Sequence, residues 1–311
     1  MSLRPLIAIV GPTGSGKSDL SLRICEEFGG EVVNCDSLQI YRHFDIGTAK
    51  VPVSERRGIR HHLLDIADPD QVFTAGEFAA RARPLLEEIS RRALPVVVGG
   101  TGFYLRALLD GLFPAPKRDD ALRDRLARRE RRRSGSLYRL LRRFDPGAAG
   151  SIHANDLPKL TRALEVYLLT RRPITDWFAT GRDALEGFRP VKIGLDPPRF
   201  ALYERLDARC ERMFAEGLLE EAQRILDLGW PASAKPFEAH GYRQSLRILR
   251  GEQSRTEALA EAQRNTRRYA KRQLTWFRKE PDVNWLRGFG DQPCVQEAAV
   301  SLLGRLLPAK S

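Results

Sequence analysis

The chain has 311 residues, enough for one large domain or two modest ones around a substantial core. Lysine and arginine number 52 against 40 acidic residues, a formal charge of +12, an excess that suits a nucleic-acid partner more than a small-molecule kinase. No apolar run approaches bilayer length, the N-terminal LIAIV is too short for a signal peptide, and four cysteines without C-x-x-C spacing argue against zinc or disulfides. A cytoplasmic protein with reduced thiols and no membrane anchor is therefore expected.

The apolar run 6–10 predicts a first strand, and GPTGSGKS (11–18) follows it directly. This fits G-x-x-x-x-G-K-[ST], a loop whose backbone N–H groups wrap a polyphosphate at a helix N-terminus. Gly11, Pro12, Thr13, Gly14, Ser15, Gly16, Lys17 and Ser18 are the expected phosphate-binding residues, with Lys17 reaching terminal phosphates and Ser18 positioned to hold a Mg²⁺. A helix should run on to about Phe28. GEVVNC (30–35) predicts the second strand, EFAARARPLLEEISRRA a long helix, PVVVGG (95–100) the third strand and FYLRALLDGL another helix.

From Pro114 to about Gly187 the strand signal stops, leaving basic amphipathic helix broken at SGS, DPG and RRP. Residues 117–143 alone carry a net +8. The alternation resumes with VKIGLD (191–196), then one long helix over LYERLDARCERMFAEGLLEEAQRILDLG. A helix at about 255–279 follows, then a last strand at VNWLR and a closing helix over 295–307. Within the former, 264–279 holds seven basic residues and no acidic one. The expected fold is α/β: a P-loop NTPase-like parallel sheet core (1–115 and 188–311) with an inserted all-helical domain (116–187).

In a parallel sheet with helical crossovers, ligands bind at the carboxyl ends of the strands. The phosphate loop, Asp36 after strand two and Thr101 after strand three should thus open onto one crevice, with Ser37 and Gln39 beside them. Asp36 there suits a general base or an acceptor that orients a nucleophile. His61-His62 lacks partners at ligand spacing, so metal binding is not expected there. A small-molecule P-loop phosphotransferase would explain the loop and Asp36, but not the basic insertion or the 264–279 stretch.

The motifs GPTGSGKS, DSLQIYRHFDIGTAK, HHLLDI, VVVGGTGFYLRALLDGL, HANDLPKLTRALEVY, GYRQ and TRRYAKRQLTWFR, in this order, resemble bacterial tRNA dimethylallyltransferases over residues 6 to about 286. The resemblance implies Mg²⁺-assisted prenyl transfer from dimethylallyl diphosphate to N6 of the adenosine 3′ of the anticodon, with tRNA gripped at its anticodon stem-loop by a monomer. An adenylate isopentenyltransferase would share the core chemistry without needing the basic surfaces. By matching position, Asp36 accepts the N6 proton, Thr101 lies near the reacting groups, and Arg209 (or Arg205, one turn earlier) reaches the diphosphate. Asp36, Ser37, Leu38, Gln39, Thr101, Arg123, Lys159, Leu160, Thr161, Arg162 and Ala163 fall where the family contacts tRNA. Three departures stand out: Gly14 where the family often has Ala, Lys159 where Arg is common, and Arg171-Arg172 for the usual Thr-Gly.

Overall fold

The structure is a computed structural model that describes residues 3–307. In chain order its elements begin with β1 (Arg4–Val10), α1 (Lys17–Phe28), β2 (Gly30–Asn34), β3 (His61–His62), α2 (Ala75–Ile89), β4 (Leu94–Val98) and α3 (Gly102–Leu109). A helical run follows: α4 (Asp120–Arg132), α5 (Ser136–Phe144), α6 (Pro146–Ser151), α7 (Leu157–Thr170) and α8 (Ile174–Phe178). The chain then returns through β5 (Phe188–Leu195), α9 (Arg199–Ala215), α10 (Leu218–Asp227), α11 (Tyr242–Leu249), α12 (Arg255–Phe277), β6 (Val283–Leu286) and α13 (Pro293–Leu306).

The six strands form one sheet in the order β3-β2-β4-β1-β5-β6, and every neighbouring pair is parallel. Its central strands read as β-branched runs because helices cover both faces, as a parallel sheet requires. Ile7, Ile9, Val96 and Ile193 are fully buried and pack with Leu20 and Ile24 of α1 and Ala299 and Leu303 of α13. A second apolar cluster joins Ile40 and Phe44, after β2, to Phe214, Leu218, Phe237 and Tyr242. There Glu221 of α10 accepts from the Ile46 amide at 3.1 Å and from the Tyr242 hydroxyl, while that hydroxyl accepts from the Gly47 amide at 3.0 Å. A Cβ on Gly47 would come within 2.3 Å of the Tyr242 ring, which accounts for the glycine in DIGTAK and ties that motif to GYRQ.

The chain divides into two compact units, one running to Leu109 and resuming at Leu185, the other spanning Asp110–Ala184. The second is all helix. Three local readings differ from the sequence expectation. The predicted long helix is two, because Gly217 takes a left-handed φ of 104° that ends α9 and starts α10. His61-His62 forms a two-residue edge strand beside β2, too short to leave a periodic signal. Helix α11 lies in a segment with no predicted element.

The helical unit has its own core, built from Leu126, Leu141, Leu160, Ala163, Leu164 and Val166 among others. Inside it Glu165 of α7 is a buried carboxylate. Arg123 of α4 meets it through two bonds of 2.7 and 2.8 Å, Arg162 donates from one turn away, and the Asp119 amide donates at 2.9 Å. Burial pushes the Glu165 pKa up, but these donors outweigh burial and bring it from 4.5 down to about 2. The folded value lies below the unfolded one, so the stabilisation is complete above pH 4.5 and is lost as pH falls toward 2. Amide protection across residues 110–184, relative to the intrinsic exchange rate at each pH, should therefore fall on acidification through that window, and Glu165→Gln should lower it at neutral pH while flattening the acid dependence. Superimposable acid profiles for the two proteins would contradict this.

Candidate active site

The phosphate loop lies between β1 and α1, and its glycines adopt positive φ: 148° at Gly11, 77° at Gly14 and 81° at Gly16. Gly16 also admits no side chain, since a Cβ would stand 2.7 Å from the Gly290 amide nitrogen. That amide donates to the Ser15 carbonyl at 2.8 Å, so the segment before α13 braces the loop from one side. From the other side α12 reaches it: the Thr13 amide donates to Gln273 Oε1 at 2.8 Å. Ser15 Oγ is buried and finds no hydrogen-bond partner among the described residues.

Beyond β2 the chain turns at Asp36, whose Oδ1 accepts from the Leu38 amide at 2.9 Å. The GGTG turn after β4 is pressed against it. A Cβ on Gly99 would lie 2.0 Å from the Cys35 carbonyl oxygen, so only glycine permits the approach. Thr101 Oγ1 accepts from the Ser37 amide at 3.0 Å and donates to Ser37 Oγ at 3.3 Å, stitching the two turns together. Gln39 donates to the Thr48 and Ala49 carbonyls and so holds the loop 45–50, where Lys50 is paired with Asp45 and Asp65.

These segments enclose a cavity of about 980 Å³ lined by the phosphate loop, Asp36, Leu38, Gln39, Gly99, Gly100, Arg205, Arg209, Tyr269 and Gln273. The wall at the GGTG turn is Gly99 and Gly100, with Thr101 set behind it against Ser37. Arg205 is occupied, bonded to both carboxylate oxygens of Asp291 and stacked over Phe289. Arg209 has no ion-pair partner among the described residues, and burial lowers its pKa against the opposing pull of Asp36. Lys17 donates to the Pro12 carbonyl at 2.8 Å. Burial brings its pKa down to about 8, with Asp36 raising it and Arg209 lowering it further. Two half-buried cations and one carboxylate thus share a cavity, an arrangement that stabilises an incoming polyanion and keeps a proton acceptor beside it.

No group of three or more His, Cys, Asp or Glu side chains suited to hold a metal occurs among the described residues. Ser18, which lines the cavity, offers a hydroxyl oxygen of the hard kind that a Mg²⁺ bound with a diphosphate would need. His62, by contrast, is bonded to Glu31 at 2.7 Å, and His61 Nδ1 lies 3.0 Å from the Ile59 carbonyl oxygen.

The residues expected in the helical unit have varied settings. Arg123 and Arg162 are engaged with Glu165, so both first serve the helix packing. Leu160 and Ala163 are fully buried in that unit's core, so their side chains serve its packing. Thr161 is half-buried, and Lys159 is exposed beside Asp156 at 2.6 Å. Arg125, Arg128, Arg129 and Arg132 of α4, with Arg133 just after it, border an open groove and make no ion pair among the described residues. Sequence reasoning missed Tyr269 and Gln273. Their i,i+4 spacing places them on one face of α12, but the surrounding basic residues mask that face.

A family model described as IPP transferase matches residues 39–280. The chain is 61% identical to a tRNA dimethylallyltransferase of Solibacter usitatus over 304 residues, covering 97% of this chain and 99% of that protein. It is 51% identical to the tRNA dimethylallyltransferase of Koribacter versatilis, over 96% of this chain and 97% of that one. Among solved structures, the full-length tRNA isopentenylpyrophosphate transferase of Bacillus halodurans superposes with a TM-score of 0.72 at 37% identity, covering 97% of both chains. A eukaryotic dimethylallyltransferase acting on tRNA superposes with a TM-score of 0.80 at 28% identity, over 99% of this chain and 81% of that one. On this breadth of match, joined to a phosphate loop that faces Asp36 across one cavity, the chain belongs to the IPP transferase family.

Proposed function

We propose that this enzyme transfers the dimethylallyl group of dimethylallyl diphosphate to N6 of the adenosine immediately 3′ of the anticodon in tRNA, releasing diphosphate. The observation that carries the proposal is the meeting of Lys17, Arg209 and Asp36 in one cavity at the strand ends. The bond from C1 of the donor to its bridging oxygen breaks, a bond from C1 to N6 forms, and Asp36 takes the N6 proton. Lys17, Arg209 and the loop amides take up the negative charge that develops on the departing diphosphate. Mg²⁺, held by Ser18 and the phosphates, supplies further neutralisation of that charge when bound.

Exposed Arg264, Arg268, Lys271 and Arg272 on α12 and the arginine row on α4 supply cationic surface for the anticodon stem-loop. No helix among the described residues is long and apolar enough to cross a membrane, in keeping with a cytoplasmic enzyme. We take the working unit to be a monomer.

Incubation with labelled dimethylallyl diphosphate, Mg²⁺ and either tRNA or AMP separates the alternatives. Label should appear in tRNA as isopentenyladenosine next to the anticodon; labelling of AMP alone, or product formed only with ATP as donor, would overturn the proposal.

Asp36→Ala should slow single-turnover transfer by about 10²- to 10⁴-fold with tRNA affinity retained. Because Asp36 raises the Lys17 pKa, its loss should also lower that pKa below about 8. Pyrophosphate binding, followed by calorimetry, should then weaken at a lower pH in the variant than in the wild type. An unchanged rate and pH profile would reduce Asp36 to a turn residue.

Replacing Arg125, Arg128, Arg129 and Arg132 together by Ala keeps helix propensity and removes four cations. The dependence of tRNA affinity on salt should flatten, by roughly 0.7 to 0.9 in logarithmic slope per lost phosphate contact, while pyrophosphate binding holds. Wild-type affinity and salt slope would mark the row as a solvated face.

A further inference from the structure

Gln273 is a buried amide whose two ends go to different loops. Its Oε1 accepts from the Thr13 amide in the phosphate loop at 2.8 Å, and its Nε2 donates to the Gly100 carbonyl in the GGTG turn at 2.9 Å. The fit is tight, since a Cβ on Gly100 would lie 2.2 Å from Nε2. One turn earlier Tyr269 lines the same cavity. Three residues later Trp276 packs its indole nitrogen against Gly102, where a Cβ would approach to 2.1 Å. One face of α12 thus spans both loops, while Arg268 and Lys271 away from it are exposed and the exposed Arg272 lies over the Tyr269 ring.

We propose that Gln273 is a positioning residue that fixes the donor's diphosphate loop in register with the GGTG turn, to which the Asp36 turn is bonded through Thr101 and Ser37. The inference rests on the reading under Proposed function. A primary amide suits this role because it offers one acceptor and one donor at a fixed separation and carries no charge to compete with the diphosphate. Reaction between two bound substrates depends on their mutual placement, and a misplacement of about 1 Å can cost 10²-fold in rate. Each loop keeps its own ligand contacts without Gln273. Its loss is therefore expected in the transfer step rather than in either affinity.

The test uses the full chain with Gln273→Met, close in volume but lacking both polar ends, and Gln273→Glu, which keeps an acceptor for Thr13 and loses the donor to Gly100. Pyrophosphate and unmodified tRNA dissociation constants are measured separately, and single-turnover transfer is followed for rate constant and amplitude. Gln273→Met should transfer at least about tenfold more slowly, with full amplitude and with tRNA and pyrophosphate affinities within about threefold of wild type. Gln273→Glu should also slow transfer at full amplitude, and it decides the matter if the Met variant does not fold. A rate constant within about threefold of wild type in a folded variant, or a loss of amplitude alone, would overturn the inference by reducing Gln273 to a scaffold residue. Failure of the wild-type chain to prenylate tRNA would be a failure of the underlying functional reading instead.

Discussion

Every strand of the sheet runs the same way, and the site follows from that constraint. With all pairs parallel, the segments that leave β1, β2 and β4 emerge at one edge, so the phosphate loop, Asp36 and the GGTG turn become neighbours although they are far apart in sequence. The burial that enforces parallel packing also fixes the register. Ile7, Val33, Val97 and Ile193 are fully or almost fully buried, so a slip by one residue would disrupt apolar contacts across the sheet.

Glycine is the second requirement, because the loops at this edge approach one another more closely than side chains allow. Gly99 against the Cys35 carbonyl and Gly16 against the Gly290 amide each mark a contact between backbones. Gly47 instead admits the Tyr242 ring against the loop that carries Thr48 and Lys50. The cavity then gains its chemistry from charges held in a low-dielectric setting, where Lys17 and Arg209 both meet an environment that resists protonation and an anion restores the balance.

Much of this was legible in the sequence. The phosphate loop, the strand ends and the helical insertion leave local signatures, and the placement of Asp36 follows from topology alone. What was not legible depends on pairing across the fold. Arg123 reads as one more basic residue in a charged run, and only the tertiary structure brings the buried Glu165 beside it. Arg205 and Arg209 are equivalent by spacing, yet Asp291, far along the chain, occupies the first and leaves the second facing the cavity. Gln273 sits in a stretch whose composition suggests a solvated or RNA-facing helix, and its function is set by Thr13 and Gly100, neither of which is close in sequence.

In the proposed reaction the phosphate loop cradles a leaving group, so that a carbon–oxygen bond breaks and no phosphorus–oxygen bond does. Dimethylallyl diphosphate labelled with heavy oxygen at the bridging position between C1 and phosphorus tests this directly, with mass spectrometry of both products after turnover on tRNA. All the heavy oxygen should leave in the released diphosphate while the tRNA adenosine gains the unlabelled five-carbon group. Heavy oxygen retained on a prenyl alcohol, with the diphosphoryl group transferred to the acceptor, would contradict it.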